Sequence, residues 1–390
     1  MSEYAPSTSD ELTAILLDLG ARGNRCTLRG GGSKAAIGAP VNADIVDMSG
    51  FHGIVAYDPP ELVLTVRAGT PLAEVEALVA AEGQMLGFEP FDHGSLLGVD
   101  PGGATIGGVV AAGVSGPRRP VAGGARDHLL GFSAVSGRGE RFVAGGKVVK
   151  NVTGYDLPKL IAGSWGRLAA ITEVTLKVVP RPRVARTLAI SGLDASRAVG
   201  AMAQAMGSHA DVGAAAHFPR GKGLPSTTLF RIEGFAPSVE ARSQMLPKLL
   251  WRHGPCEPVP DDEAAAMWNA VRHVEPLRDE RVLWRVSIPP SAAPALIARH
   301  APADARWLLD WAGGLLWLAG DGDAAAIRSD VAAAGGHAAL IRAPEQMRAR
   351  IPFQHPRSNA VAALEARVRR AFDPKGVFET GRFLDASDAH

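Results

Sequence analysis

Apolar and polar positions in the N-terminal part of the chain alternate between two periods, which predicts a region of mixed helices and strands. DELTAILLDLG (10–20) and PLAEVEALVAAEG (71–83) carry apolar residues at helical spacing, whereas LVLTVRAG (62–69) and ITEVTLKVV (171–179) have the pattern of strands. The last strand ends at PRPR (180–183), where two prolines remove hydrogen-bond donors and force extended backbone. We therefore predict a domain boundary there.

Residues 184–342 show a different pattern, in which strands and helices follow each other in the order of ferredoxin-like units. From Arg281 onward the order is β-α-β-β-α-β, and the residues upstream give β-α-β-β-α. We expect two related α+β units that share one antiparallel sheet with helices on one face. The segments are RTLAIS, ASRAVGAMAQAMG, DVGAAAHF, TTLFRIEG, SVEARSQMLPKLLW, RVLWRVSI, SAAPALIARH, RWLLDWA, LLWLAG, DAAAIRSDVAAAG and AALI.

Residues 343–390 predict one amphipathic helix with Val361, Leu364, Val368 and Phe372 on one side. The stretch is basic, because residues 342–382 contain nine Lys and Arg against four Asp and Glu. A solvated basic face and a contact surface for a partner both fit this composition.

Composition narrows the class of protein. A chain of 390 residues with 46% hydrophobic and 21% charged residues is typical of a globular protein with two domains. A net charge of +1 gives no reason to expect a nucleic acid or an anionic membrane as partner. Cys26 and Cys256 are too few and too far apart for a disulfide framework, a zinc site or a cysteine-ligated iron–sulfur cluster. Neither a signal peptide nor an apolar run of membrane-spanning length is visible, so we expect a cytoplasmic protein.

RGGGSK (29–34), the first glycine loop, concentrates flexible backbone at one point. It meets neither the Rossmann spacing nor the Walker A spacing, and no long helix follows it. Successive glycine N–H groups can form an anion-binding nest, with Arg29, Ser33 and Lys34 beside it. The alternative is a flexible turn.

Two further stretches favour a bound cofactor over three unrelated turns. The second glycine loop, DPGGATIGGVVAAGVSGP (100–117), surrounds an apolar centre with small residues, so that backbone can lie against a flat or phosphorylated ligand. The third stretch, GGKVVKNVTGYDLPKLIAGSWGRLAAITEVTLK (145–177), leads to the predicted boundary. Three such segments in this order predict a cofactor site.

Together, the three stretches resemble the flavin-binding signature of the vanillyl-alcohol oxidase / p-cresol methylhydroxylase superfamily of FAD proteins. AFDPKGVFETGRF (371–383) resembles the closing FDP-x-G-x-x-NPGR segment of that superfamily. Within it, GKVVKNVTGYDLPKL is most similar to the FAD-binding E subunits of bacterial glycolate oxidases. The resemblance implies an α+β fold, with a two-part FAD-binding domain of the p-cresol methylhydroxylase type and an α+β cap with ferredoxin-like units. It implies three parts: an FAD-binding domain (1–180), a cap domain (184–342) that meets substrate or partner, and a C-terminal segment (343–390) that returns to the first domain.

The resemblance also assigns roles by position. The first loop would hold the FAD pyrophosphate through backbone amides, the second would lie along the ribityl chain and isoalloxazine, and two single residues would meet the adenosine part and supply a C-terminal cation. Covalently flavinylated relatives often carry a histidine where Ser33 and Lys34 stand here, so noncovalent FAD is expected. The residues, in that order, are Arg29, Gly30, Gly31, Gly32, Ser33 and Lys34; Pro101, Gly102, Thr105, Gly107 and Gly108; Ile171; and Arg382.

The chain departs from the superfamily pattern at several of these positions. Val109 and Gly113 replace asparagines, Arg167 stands in GRLAAITE where GTLGIITE is usual, and FETGR lacks the Asn-Pro pair. We still expect FAD to bind, but we expect the residues around its isoalloxazine ring to differ from those that are usual in the superfamily.

The sequence assigns no catalytic residue and no metal site. Oxidation of a 2-hydroxy acid by a flavin needs a cation for the carboxylate, an acceptor for the hydroxyl proton, and aligned geometry. In relatives that oxidise D-2-hydroxy acids, a cap segment with histidines supplies a metal site, whereas WLAGDGDAA (317–325) keeps only a Gly-Asp-Gly turn. His93 lies near the second loop, where a turn-capping role fits it at least as well as a catalytic one. The scattered cap residues form no spaced ligand pair; they are His217, His253, His273, His337, Arg231, Arg272 and Arg285.

The resemblance implies the FAD-binding subunit of a multi-subunit glycolate oxidase, or glycolate dehydrogenase. Its partners would be a paralogous catalytic FAD subunit and an iron–sulfur subunit that accepts electrons, and these partners could bring it to the inner face of the membrane. A structural subunit with the FAD fold but no chemistry, and a free-standing 2-hydroxy-acid dehydrogenase, are the alternatives.

Overall fold

The structure is a computed structural model of the chain, and it describes residues 1–146, 154–221, 223–301 and 306–383. Its strands are β1 (Glu3–Tyr4), β2 (Cys26–Arg29), β3 (Asp44–Asp47), β4 (Ile54–Asp58), β5 (Val63–Arg67), β6 (Gln84–Met85), β7 (Leu129–Ser136), β8 (Arg141–Gly145), β9 (Ala169–Lys177), β10 (Val179–Pro180), β11 (Val184–Ser191), β12 (Val212–Phe218), β13 (Thr227–Gly234), β14 (Glu257–Val259), β15 (Leu283–Ser287), β16 (Trp307–Asp310), β17 (Leu315–Ala319) and β18 (His337–Arg342).

The helices are α1 (Ser9–Arg22), α2 (Leu72–Ala81), α3 (Ile106–Ala112), α4 (Arg119–Ala122), α5 (Ala125–His128), α6 (Leu157–Ile161), α7 (Ala195–Met206), α8 (Ala236–Leu249), α9 (Asp261–Arg272), α10 (Ala293–His300), α11 (Ala324–Ala333), α12 (Glu345–Arg348) and α13 (Asn359–Phe372). None of the helices formed by the described residues is long and apolar enough to cross a membrane.

The chain folds into two compact units. The first combines Met1–Gly116 and Gly123–Arg181 with the C-terminal part from Pro356, and the second combines Pro117–Ala122 with Pro182–His355. The main segment of the second unit therefore begins within PRPR, at Pro182, and a short segment that starts at the end of the second glycine loop also belongs to this unit.

The first unit contains two main sheets. β1, β3 and β2 form a parallel sheet, and β4-β5-β9-β7-β8 form an antiparallel one. Helix α1 begins with a capping box, in which Thr8 accepts from the amide of Glu11 and the Glu11 carboxylate accepts from the amide of Thr8. Its apolar side buries Leu12, Leu16 and Leu19. This packing fixes the strands from which the first glycine loop emerges.

The second unit is built on one eight-stranded antiparallel sheet of order β14-β11-β13-β12-β16-β17-β15-β18. All eleven predicted segments form the predicted type of element, and the two halves share one sheet, which confirms the α+β prediction. Strands β12 and β16 join the halves where His217 pairs with Leu309.

One part of that prediction is wrong, because helices cover both faces of the sheet. Helices α7, α8, α10 and α11 bury apolar residues in one core. Helix α9, which the pattern did not predict, packs Trp268 and Val271 against Ala214 and Ala216 of β12 on the opposite face. The run of alanines in β12 makes both of its faces apolar, so alternation could not reveal a second covered face.

Both cysteines are buried free thiols. Burial raises the pKa of Cys26 and of Cys256 to about 12, with a smaller contribution from nearby carboxylates. Neither thiol is therefore a reactive thiolate near neutral pH.

Candidate FAD-binding site

The first glycine loop leaves the parallel sheet directly after β2, and Arg29 anchors its start. The Arg29 guanidinium donates to Asp47, with 2.7 Å between Nη2 and Oδ2, and also to Glu3. These carboxylates raise the pKa of Arg29. Since two carboxylates already neutralise it, Arg29 holds the base of the loop in place, and its predicted contact with pyrophosphate stays a prediction.

Gly30 and Gly31 are required because the first and second glycine loops approach each other closely. A Cβ on Gly30 would overlap the Thr105 side chain, and one on Gly31 would overlap the carbonyl oxygen of Gly103. The relation is reciprocal, since a Cβ on Gly103 would lie 2.6 Å from the carbonyl oxygen of Gly31. Real side chains never come so close, so these glycines allow the two loops to pack together.

The same loop presents a row of backbone donors. Among the described residues, the amides of Gly31, Gly32, Ser33 and Lys34 donate no hydrogen bond. Gly32 has φ 77°, a left-handed conformation that glycine adopts without strain, and a Cβ there would meet only Arg29, at 4.0 Å. Successive N–H groups around such a residue make the concave anion site called a nest. A pyrophosphate would satisfy these donors.

Lys34 adds a titratable charge to this row of amides. Its ammonium Nζ lies 3.4 Å from Ser33 Oγ, and the Ser33 side chain is buried. Burial lowers the pKa of Lys34 to about 8, while Asp92 raises it and Arg382 lowers it further. An anion bound here would stabilise the charged form of Lys34.

Arg382 closes the turn that follows the first loop. Its guanidinium donates to the carbonyl oxygens of Ile37, at 2.7 Å, and of Lys34, and its own carbonyl accepts from the amide of Ala39 at 2.8 Å. The C-terminal segment thus holds the shape of the loop from 345 residues away in sequence. These contacts of Arg382 with the backbone after the first loop could not be predicted from the sequence, in which Arg382 only matched a motif.

Asp92 organises the second glycine loop. Its carboxylate accepts from the amides of Gly102 at 2.7 Å, Gly94 at 2.8 Å and Ala104 at 3.3 Å. The two second-loop amides are therefore already satisfied within the protein. Sequence reasoning singled out the neighbouring His93 and missed Asp92, although an Asp before a glycine is a common turn former.

The other predicted residues of the second loop divide into structural and open positions. Thr105 caps α3 by accepting from the amide of Gly108 at 3.3 Å. Gly107 donates to the carbonyl of Ala68 at 2.8 Å and has no room for a Cβ. Gly102 has φ 102° and nothing within 4 Å of a Cβ position, and Pro101 beside it is exposed. Open space at Gly102 leaves backbone accessible to a flat ligand, whereas a Cβ on Gly108 would lie 3.1 Å from Thr105 Oγ1.

Ile171, the predicted neighbour of the adenosine part, lies in β9 opposite Ala134 of β7, with its side chain buried. Residues 147–153 of the third stretch, which include most of GKVVKNV, lie outside the described residues. The residues that follow them return through α6 to β9.

Arg167 and Glu379, two residues that differ from the superfamily pattern, form an ion pair with each other. Arg167, which is only 7% exposed, donates to both carboxylate oxygens of Glu379, at 3.2 and 2.8 Å. Arg369 joins the same carboxylate at 3.0 Å. Arg167 of GRLAAITE and Glu379, which stands where the superfamily pattern has Asn, therefore form a partly buried ion pair that ties the third stretch to the C-terminal segment.

Comparison with known proteins agrees with this geometry. The family model described as an FAD binding domain matches residues 3–145. The chain is 34% identical to glycolate oxidase subunit GlcE of Escherichia coli K12 over 357 residues, which cover 91% of each protein. The chain belongs to the GlcE family. The predicted cofactor, FAD, is confirmed.

More distant relatives share parts of this GlcE-family chain. It is 30% identical to glycolate oxidase subunit GlcD of Bacillus subtilis, in an alignment that covers 66% of this chain and 52% of that protein. It is 32% identical to a D-lactate dehydrogenase of Archaeoglobus fulgidus, in an alignment that covers 47% of this chain and 40% of that protein. A solved structure of alkyldihydroxyacetonephosphate synthase matches with a TM-score of 0.69 at 15% identity, covering 96% of this chain and 75% of that one. The last match shows the shared fold.

His217, in the second unit of this GlcE-family chain, is a buried histidine with a structural role. His217 stacks on Trp307 with 5.4 Å between ring centroids, and its Nδ1 lies 2.9 Å from Thr228 Oγ1. Burial lowers the pKa of His217 to about 4, so the ring is neutral near pH 7. No three His, Cys, Asp or Glu side chains in the described part of the chain lie close enough together to hold a metal ion.

Proposed function

We propose that this protein is the FAD-binding subunit of a multi-subunit glycolate oxidase, or glycolate dehydrogenase, which oxidises glycolate to glyoxylate and passes the electrons to an iron–sulfur subunit. The observation that carries the cofactor role is the row of four amides from Gly31 to Lys34. The end-to-end similarity to GlcE supports the assignment to this complex, and the similarity to GlcD supports a paralogous catalytic FAD subunit as partner.

Oxidation of glycolate removes two electrons and two protons, from the carbinol C–H and the hydroxyl O–H. FAD, when bound, accepts the electron pair together with the carbinol hydrogen. This chain's own residues bind and orient the cofactor: the first-loop amides and Lys34 hold the pyrophosphate, and Arg382 and Asp92 keep the two loops in shape. Its place is the cytoplasm, with the partner subunits as the link to the inner face of the membrane.

The test is reconstitution of the three subunits and measurement of glyoxylate and reduced artificial acceptor with glycolate as substrate. We expect glycolate-dependent turnover that is lost when this subunit is left out. Full turnover by the partner subunits alone would contradict the proposal. Acid precipitation of the same preparation should release the yellow chromophore into the supernatant, because we propose that FAD is held without a covalent bond.

Lys34 makes FAD binding depend on pH. In the FAD-free protein the pKa of Lys34 is about 8, below its usual value of 10.5, and a bound pyrophosphate raises it. The affinity for FAD should therefore be constant below pH 8 and fall above it by up to about tenfold per pH unit, until the pKa of the complex is reached. Calorimetric titration at pH 7, 8 and 9 measures both the affinity and the proton uptake.

Lys34→Met should bind FAD more weakly at pH 7 and lose most of this pH dependence. The matched control is Lys375→Met, which removes an exposed lysine that is not part of the first loop. An unchanged pH slope in Lys34→Met would show that Lys34 is not beside the pyrophosphate.

A further inference from the structure

Trp311, in the second unit, has two guanidinium groups close to its ring. The Cζ atom of Arg119 lies 4.3 Å from the indole centroid, and that of Arg285 lies 4.9 Å from it. Arg285 belongs to β15, and Arg119 begins α4 in the short segment that packs in this unit. Two cations on one aromatic side chain attract the ring but repel each other.

The backbone that presents Trp311 is strained. Trp311, Ala312 and Gly313 have consecutive φ values of 53°, 55° and 94°, in a region that bulky residues rarely adopt. The turn is held from below by Asp310, which is only 3% exposed and accepts from the amide of Trp311 at 2.7 Å. Such strain persists where the surrounding structure enforces it, and it concentrates at ligand sites.

We define the arginine cluster as Arg118, Arg119, Arg231 and Arg285. Within the described residues, the carboxylates of Glu233 and Asp310 interact with members of this cluster. Glu233 is already paired with Arg118 and with Arg231, the latter at 3.3 Å. Asp310, which accepts from the Trp311 amide, is also the carboxylate that raises the pKa of Arg285.

Arg285 is the arginine with unused donors. Within the described part of the chain, its guanidinium has no hydrogen-bonded or ion-paired partner beyond its contact with the Trp311 ring. Burial lowers the pKa of Arg285 to about 10, Arg119 lowers it further, and Asp310 raises it. A half-buried guanidinium with five donors and a like charge beside it is stabilised by a bound anion.

We propose that Arg285 and Arg119, whose guanidinium groups lie close to the buried Trp311 ring, bind the carboxylate of a short organic acid. A guanidinium is planar, as a carboxylate is, and it matches the two carboxylate oxygens with two parallel hydrogen bonds. That this acid is the 2-hydroxy acid of the reaction, or its 2-oxo product, rests on the proposed function. Binding of the carboxylate would orient the acid, but it does not provide a base that accepts the hydroxyl proton.

The test is calorimetric titration of the FAD-loaded full chain with sodium acetate, which cannot be oxidised at a carbinol carbon, at constant ionic strength. Arg285→Lys keeps the charge but loses the bidentate geometry, and Arg119→Met removes an exposed side chain. We expect each variant to bind acetate about tenfold to a hundredfold more weakly. The matched control, Arg306→Met, removes an arginine paired with Glu280 at 2.9 Å and should change the affinity less than about twofold.

Unchanged acetate binding in the two cluster variants would overturn the inference, and so would binding of inorganic phosphate as tight as that of acetate. Thermal unfolding of each variant shows whether it is folded. If Arg285→Lys does not fold, Arg119→Met alone still tests the inference. If the complex does not oxidise glycolate while acetate binding still depends on both arginines, the inference stands and the proposed function is wrong. If the complex with either variant keeps the wild-type KM for glycolate, the inference is wrong and the proposed function stands.

Discussion

FAD-loaded protein without its partner subunits is expected to be reduced by glycolate at least about a hundredfold more slowly than the assembled complex turns over. Removal of the hydroxyl proton by a positioned group contributes about 10²–10⁴ in rate, and alignment contributes more. The turn WLAGDGDAA carries no histidine. Its Asp321 is 64% exposed and lies 3.7 Å from Arg281, so this carboxylate is on the surface. The arginine cluster could hold a carboxylate but supplies no base.

Anaerobic mixing of the isolated protein with glycolate or D-lactate, followed through the flavin absorbance, measures this rate. Dithionite serves as the control that the flavin can be reduced, and addition of the partner subunits with an artificial acceptor should restore turnover. Rapid bleaching of the isolated chain by glycolate would contradict the expectation. It would favour the free-standing dehydrogenase and direct attention to Arg285 as the carboxylate anchor.

Sequence patterns predicted the elements of this fold well where neighbours along the chain decide the structure. In β15, Leu283 and Trp284 are fully buried, and the apolar run around them indicated a strand directly. Helix α9 was missed because its first turn is acidic and its covered side carries only a few apolar residues, chiefly Trp268 and Val271. Its place on the sheet depends on the alanines of β12, 50 residues earlier, which local periodicity does not report.

The density of glycine marked the two glycine loops in the sequence, but it did not show which glycines face other protein atoms. Gly30, Gly31 and Gly107 are glycines because other protein atoms occupy the space of a side chain, whereas Gly102 and Gly32 leave it open. A motif match cannot separate these two reasons, since both forbid or disfavour a side chain. The contacts of Arg382 and Arg285 were equally hidden, because Arg382 joins segments distant in sequence and Arg285 contacts Trp311 in a strained turn.

Gly31→Asp is expected to abolish FAD binding, and the structure gives two separate reasons. A Cβ at this position overlaps the carbonyl oxygen of Gly103, so the two glycine loops must move apart. The carboxylate also brings a negative charge to the amides of Gly32, Ser33 and Lys34. At about 4 Å and an effective dielectric constant of about 20, repulsion from one phosphate charge is about 4 kcal/mol, or roughly a thousandfold in affinity.

Three variants separate these causes, with flavin content per folded chain as the measurement. Gly31→Ala introduces only the overlap and should lower FAD content, while Gly31→Asp should reduce it below about a tenth of the wild-type value. Gly322→Asp is the matched control, because a Cβ there meets only Ile327 at 3.5 Å and Gly322 lies in the turn of the second unit. Its FAD content should equal that of the wild type. A folded Gly31→Asp protein with full flavin content would show that the pyrophosphate does not bind at the first glycine loop, and the row of amides from Gly31 to Lys34 would need another ligand.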